Sequence, residues 1–243
     1  MKTLNDLIRE VHDYVQSDAQ GTPLYRGQAN PNWTLAPRVA RENLTWYDEA
    51  RLYCNFEIQG RHLFPPSVSK GWDTCTLMQH HGLPSRLLDW TETFGVALHF
   101  AVREATDDAA IWILNPFKLN KLAMSLELFR VLDDYPPGYF DYFLRRESQD
   151  FGKFPGPIVA AYHVGLVSRL RAQRGVFTVH ADLTKPLEIL FPEAVRRFVV
   201  PANLIPEAKH FLRLFGIGDF ALLQDLDSLC RQLYREQVAD HRR

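Results

Sequence analysis

One stretch, Leu77 to Val102, constrains this chain more than any other. Its first half crowds Gln79, His80, His81, Ser85, Arg86, Asp89, Trp90 and Thr91 into a short run. Its second half places Phe94, Ala97, Leu98, Ala101 and Val102 at i, i+3, i+4, i+7 and i+8, the apolar face of a helix that has to be buried. A polar cluster delivered directly onto a buried helix is either a satisfied internal network or a site. Just upstream, a helix over Asp73–His81 is stopped by Gly82, with Pro84 beyond. His80 and His81 then lie in a last turn whose partial negative charge favours imidazolium, so a capping role competes with a catalytic one. Ser85 to Asp89 reads as extended, with Leu87 and Leu88 on opposite faces. Thr91 or Thr93 is the natural N-cap of the helix that follows.

The remaining elements alternate around this centre. Leu4, Leu7, Ile8, Val11, Tyr14 and Val15 share one face of a first helix, capped by Thr3. A short strand from Leu24 carries Arg26-Gly27-Gln28, then a turn at 29–32 and an extended piece from Trp33 to Arg38. A helix over 45–63 is ended by Pro65-Pro66. Strands are predicted at Ala110–Leu114, Ile158–Tyr162, Gly175–His180 and Arg197–Val200, with weak pairing at Leu187–Leu190. Between 117 and 156 proline, glycine and aromatics are dense, which reads as a surface insertion with helices near Leu119–Leu132 and Tyr139–Glu147. A short helix near Leu166–Ala172, another over 203–214 and a last one over Leu222–Gln237 complete the chain. The pattern is that of one α+β domain over 1–243, with 203–243 a C-terminal helical cap.

An arginine followed at once by glycine at a strand end has two explanations. Arg26 is a salt-bridge partner beside a turn glycine, or it is a guanidinium held at a pocket mouth, with Gly27 admitting a ligand to the backbone. Its planar fork matches a pyrophosphate or a carboxylate.

Composition limits the classes available. With 46% apolar and 23% charged residues the chain is not disordered, and a formal net charge of −1 supplies no global field for nucleic acid. Basic lips at Arg38, Arg41, Arg51 and Arg61, or at Arg169, Arg171 and Arg174, are equally explained as solvated helix faces. Three widely spaced cysteines show neither a disulfide framework nor metal spacing, which fits a cytoplasmic setting. No apolar run reaches membrane-spanning length and no signal peptide is evident, so no membrane partner is expected.

Tyr25-Arg26-Gly27-Gln28, Trp33-x-Leu35-x-Pro37-Arg38 and Gln79-His-His-Gly-Leu-Pro-Ser-Arg-Leu-Leu-Asp-Trp-Thr91 together resemble the FRG domain, named for its Phe/Tyr-Arg-Gly motif. The resemblance continues through Arg169-x-x-x-Gln173-x-Gly175-x-Phe177, Arg197–Pro201, Phe215-Gly-Ile217 and Leu223–Leu229. More distantly, the order of motifs is similar to that of the arginine–serine–glutamate branch of the ADP-ribosyltransferase fold, which implies a small mixed or antiparallel split β-sheet flanked by helices. Tyr25-Arg26-Gly27 is similar to its first motif, Thr91-Glu92-Thr93 with Ala97-x-x-Phe100 to its second, and Gln173-Arg174-Gly175 occupies the place of its third.

What this resemblance implies is chemistry on NAD, used as a substrate with no metal. Arg26 would neutralise the pyrophosphate, Thr91 would bond the nicotinamide ribose or support the strand, and Trp90 would stack on the nicotinamide. Gln173 would hold a ribose hydroxyl where positive charge develops. Phe177, Gln28, Gln79, His81, Arg86 and Asp89 complete the implied NAD site. Position 175 is glycine where a catalytic glutamate is wanted, which leaves His80, His81, Glu92 or Asp89 to supply the missing group.

Three readings are open. The first is an ADP-ribosyltransferase or NAD glycohydrolase acting on a protein, a nucleic acid or water, in the manner of a bacterial toxin or antiphage effector with a neutralising partner such as an antitoxin. The second is a non-catalytic nucleotide- or nucleic-acid-binding module using Arg26, Gln28, Arg38, Gln79, His80, Arg86 and Trp90. The third is a metal-dependent nuclease or phosphohydrolase on His80, His81 and Asp89, whose histidines are adjacent rather than at ligand spacing.

Overall fold

The computed structural model describes residues 2–18, 21–135, 138–145, 154–162, 171–234 and 237–238. The first helix, α1 (Leu4–Ser17), begins with a reciprocal capping box between Thr3 and Asp6. Strand β1 (Leu24–Gln28) leads through α2 (Arg38–Arg41) to α3 (Trp46–Gly60), which opens on a second capping box, Thr45 with Asp48. Then come α4 (Trp72–His80), β2 (Leu87–Thr91), α5 (Phe94–Val102), β3 (Ala109–Leu114) and α6 (Pro116–Met124). The second half holds β4 (Arg130–Val131), α7 (Tyr139–Phe143), β5 (Ile158–Tyr162), β6 (Gly175–His180), α8 (Leu187–Leu190) and β7 (Val195–Val200). Helices α9 (Ile205–Leu214), α10 (Asp219–Leu223) and α11 (Leu226–Tyr234) close it.

The seven strands form one mixed sheet in the order β4-β5-β6-β2-β1-β3-β7, antiparallel except for β4 beside β5. Strand alternation sorts its two faces. One face carries two apolar clusters side by side. Tyr25, Ile111 and Ile113 pack with α1, α5 and α9, while Leu87, Phe177 and Val179 pack with α3, α4 and α7. The other face buries Leu88, Trp90, Trp112 and Val176 under α6 and α8.

Several expectations change where a distant residue overrides the local pattern. The extended piece from Trp33 joins no sheet and gives way to α2 at Arg38. Its main chain at Leu35 instead accepts from the Leu187 amide at 3.2 Å and donates to Glu188 at 3.0 Å, and Leu187–Leu190 is a helical turn rather than a pairing strand. Helix α6 stops at Ser125 in a left-handed conformation (φ 56°) and does not run to Leu132. The last helix is broken at Gln224 (φ 53°), after which Asp225 caps the Ser228 amide at 2.6 Å. Among the described residues of 117–156, Leu132, Tyr135, Tyr139, Phe143 and Phe154 are core. Most of the expected helix at Leu166–Ala172, with Arg169, and the end of the one at Tyr139–Glu147 lie outside the described residues.

Candidate functional site

An interior strand normally completes a ladder on both edges. Here β1 does so with β3 over five residue pairs and β2 with β6 over five, yet β1 and β2 meet at a single pair, Tyr25 with Thr91. Beyond that contact they diverge, and side chains fill the seam. Arg26 Nη1 donates to the Asp89 carbonyl at 2.6 Å, standing in for a missing ladder bond. The sheet is therefore continuous in order but nearly split at its centre.

The seam is the floor of a cleft of about 360 Å³, a size that suits a small molecule. Helix α4 supplies one wall through Thr76, Gln79 and His80, and α5 the other through Val96, Ala97 and Phe100. Arg103 and Glu104, just past α5, and Trp33 and Arg41, in the chain after β1, complete the lining. Within that lining the Thr91 hydroxyl donates to the Gln173 carbonyl at 2.6 Å. Residues near 26, 90 and 173 thus share one concave wall.

The polar cluster after α4 is both a network and a lining. The Ser85 hydroxyl accepts from the Leu87 amide at 3.1 Å and donates to Gln79 Oε1, while Gln79 Nε2 donates to Asp89 Oδ1 at 2.7 Å. That chain ends on the Asp89 carboxylate, which is open to the cleft. Arg26 is in a different state. Its Nε has neither a partner nor contact with water. Burial pushes its pKa down, Asp89 works against that, and the nearby positive charge of Arg41 adds to it.

Eleven of the sequence-derived residues border the cleft: Tyr25, Arg26, Gly27, Gln28, Gln79, His80, Asp89, Trp90, Thr91, Gln173 and Phe177. His81 and Arg86 do not. His81 is exposed and meets His80 edge to face, 4.9 Å between ring centres. Arg86 is 2% exposed and ion-paired to buried Glu49 at 2.9 Å, with its Nη1 donating to the Ala181 carbonyl at 3.1 Å. It is a core residue, as are its partners Glu49 and Tyr139. Of the other candidates for the missing group, Glu92 accepts from the Tyr162 hydroxyl at 2.7 Å and does not border the cleft.

Several roles also change. Trp90 turns its indole into the opposite face of the sheet, where Nε1 donates to Thr178 at 3.1 Å, so it is no stacking platform for a ring in the cleft. Gly27 makes room for a helix rather than a ligand: a Cβ there would lie 1.9 Å from the Ala97 carbonyl oxygen. Gln28 is held by Trp112 Nε1 at 2.9 Å, and Tyr25 packs edge to face on Phe94. Thr91 also accepts from the Thr93 amide at 3.1 Å, and Gln173 Nε2 donates to the Leu222 carbonyl at 3.0 Å. Both therefore support the wall from inside.

Sequence reading missed Thr76, Arg103 and Glu104 and named Phe100 only as part of a motif. A signal existed, since Val96, Phe100 and Arg103 follow i, i+4, i+7 on a second stripe of α5, beside the core-facing one. Arg41 was visible only as part of a basic lip. Among the described residues no group of three His, Cys, Asp or Glu side chains gathers to hold a metal ion, and no helix is long and apolar enough to cross a membrane.

No curated protein and no solved structure matches the chain. One family model does, the FRG domain, over residues 22–110. That span runs from β1 into β3 and contains the strand seam, both helical walls and Arg103, and it leaves Gln173 outside. Residues 22–110 of this chain are an FRG domain.

Proposed function

We propose that the cleft takes a dinucleotide of the NAD type and that the protein is an ADP-ribosyltransferase-like enzyme, releasing nicotinamide and passing ADP-ribose to a protein or nucleic-acid acceptor or to water. The observation that carries this reading is the nearly split sheet, which brings Arg26, Asp89 and the 173 tract to one opening from three distant parts of the chain. Breaking the nicotinamide–ribose bond leaves positive charge on the ribose, and a carboxylate fixed beside it lowers that barrier. With glycine at 175, Asp89 is the carboxylate best suited to this task, because Gln79 orients one oxygen and the rest faces the cleft. His80, on the α4 wall, would take the proton of the attacking acceptor. Inside a bacterial cell such chemistry suits a toxin or antiphage effector kept in check by a neutralising partner.

A second reading, a nucleotide-binding module without turnover, draws on a separate observation. The Thr91 hydroxyl and the Gln173 amide are both engaged within the protein. Calorimetry with NAD, paired with a nicotinamide-release assay on wild type and Asp89→Asn, separates the two. Release that falls at least about 100-fold in Asp89→Asn, with NAD binding retained, supports the enzyme. Binding without release in the wild type supports the module, and absence of binding to NAD or any other nucleotide removes both.

A further inference from the structure

The buried state of Arg26 leaves a question of charge. Its Nη1 is committed to the Asp89 carbonyl and its Nε is sealed from water, so it does not offer a free fork to a ligand phosphate. Two further guanidinium groups line the cleft, those of exposed Arg41 and half-buried Arg103. They come from separate elements, the end of α2 and the residue after α5. Arg41 stands near enough to Arg26 to act on its charge, with the Asp89 carboxylate acting in the opposite sense.

Arg103 is also held in place. Its Nε lies 3.1 Å from Asp219 Oδ1, and that same oxygen is 3.1 Å from Nε2 of His99 on α5. Asp219 starts α10, whose far end is tied to the cleft lining through the Gln173–Leu222 bond. An ion pair made through Nε orients the guanidinium plane while leaving its two terminal nitrogens for a second partner. Glu104, 3.6 Å from the same Nε but 75% exposed, opposes an anion only weakly because solvent screens it.

We propose that Arg41 and Arg103, in the lining of the cleft, build a diphosphate subsite, with Asp219 a positioning residue that presets the Arg103 fork. Two forks on two elements match two linked phosphate groups better than a lone phosphate or carboxylate. This deepens the dinucleotide reading and rests on it for the identity of the whole ligand. The anion chemistry itself is tested separately.

The experiment is calorimetry on the full chain with inorganic pyrophosphate and, in parallel, with NAD. Arg41→Ala and Arg103→Ala are each expected to weaken pyrophosphate binding about 10-fold, and Arg103→Lys, which keeps the charge but loses the fork, by less. Asp219→Asn is expected to weaken it about 3-fold or more, and to add nothing in an Arg103→Ala background, where a purely structural loss would persist. Glu104→Gln is expected to tighten it. Wild-type protein that ignores pyrophosphate, or binding that both arginine variants leave intact, overturns the subsite. An Asp219→Asn loss undiminished without Arg103 overturns the positioning role. Pyrophosphate binding without NAD binding discards the dinucleotide reading and keeps the subsite, whereas NAD binding indifferent to both arginines does the reverse.

Discussion

Gly27→Ala is the substitution that best separates architecture from ligand access at the arginine–glycine strand. The added Cβ would sit 1.9 Å from the Ala97 carbonyl oxygen and 2.5 Å from the Ala101 amide nitrogen. Both are backbone atoms of α5, so no side chain can swing aside. Restoring ordinary contact at about 3.5 Å requires α5 to move off β1 by about 1.5 Å. That helix buries Ala97, Leu98, Ala101 and Val102 at no more than 1% exposure, and all four would lose part of their packing. Overpacking of this kind costs about 1–3 kcal/mol where flexible groups can adjust, so about 3 kcal/mol or more is expected here. With a urea dependence of about 3 kcal/mol per molar, the unfolding midpoint should fall by about 1 M. The assay is equilibrium urea unfolding of the full chain, followed by tryptophan fluorescence. A midpoint within about 0.2 M of wild type, together with lost NAD binding, would show that the glycine serves the ligand and that the helix-contact account is wrong.

Other consequences follow from the same geometry. Arg86→Met strands the buried Glu49 carboxylate and is expected to cost about 3–5 kcal/mol in the same unfolding assay, with Glu49→Gln in that background recovering part of the loss. A destabilisation below about 1 kcal/mol would mean that the pair is not sealed from solvent. His180 is 0% exposed, and burial, with Arg26 and Arg86 adding to it, lowers its pKa to about 3. An unfolded histidine titrates near 6.5, so the unfolded chain binds the extra proton between those values. Stability is complete above about pH 6.5 and is lost as pH falls, by about 2 kcal/mol at pH 5. His180→Gln should remove that share of the decline between pH 7.5 and 5, and an unchanged pH profile would contradict it. Trp33 is 50% exposed and lines the cleft, so a bound nucleotide should alter its emission. Trp33→Phe should abolish the change, and a response that survives would place the ligand elsewhere.

Local chemistry carried the legible part. Thr3 capping α1, the Pro65-Pro66 stop and the buried α5 helix are each decided within a few residues, by hydrogen bonds and side-chain periodicity that a short window contains. So was the membership of Arg26, Gln79, Asp89 and Thr91 in one polar centre, because they sit on one strand–helix unit and the strand beside it.

What residues do across the sheet was decided only by tertiary structure. Arg86 follows Ser85 in the same polar run, yet Glu49 on α3 draws it into the core. Trp90 alternates with Asp89, and strand geometry sends one to the cleft and the other to Thr178 on the far face. Gly27 has its reason in Ala97, 70 positions on, and Arg103 has its own in Asp219 at the other end of the chain. The cleft exists because β1 and β2 each spend their hydrogen bonds on another strand. That choice of partners is made among backbones identical in chemistry, so no short segment can encode it and only the assembled sheet settles it.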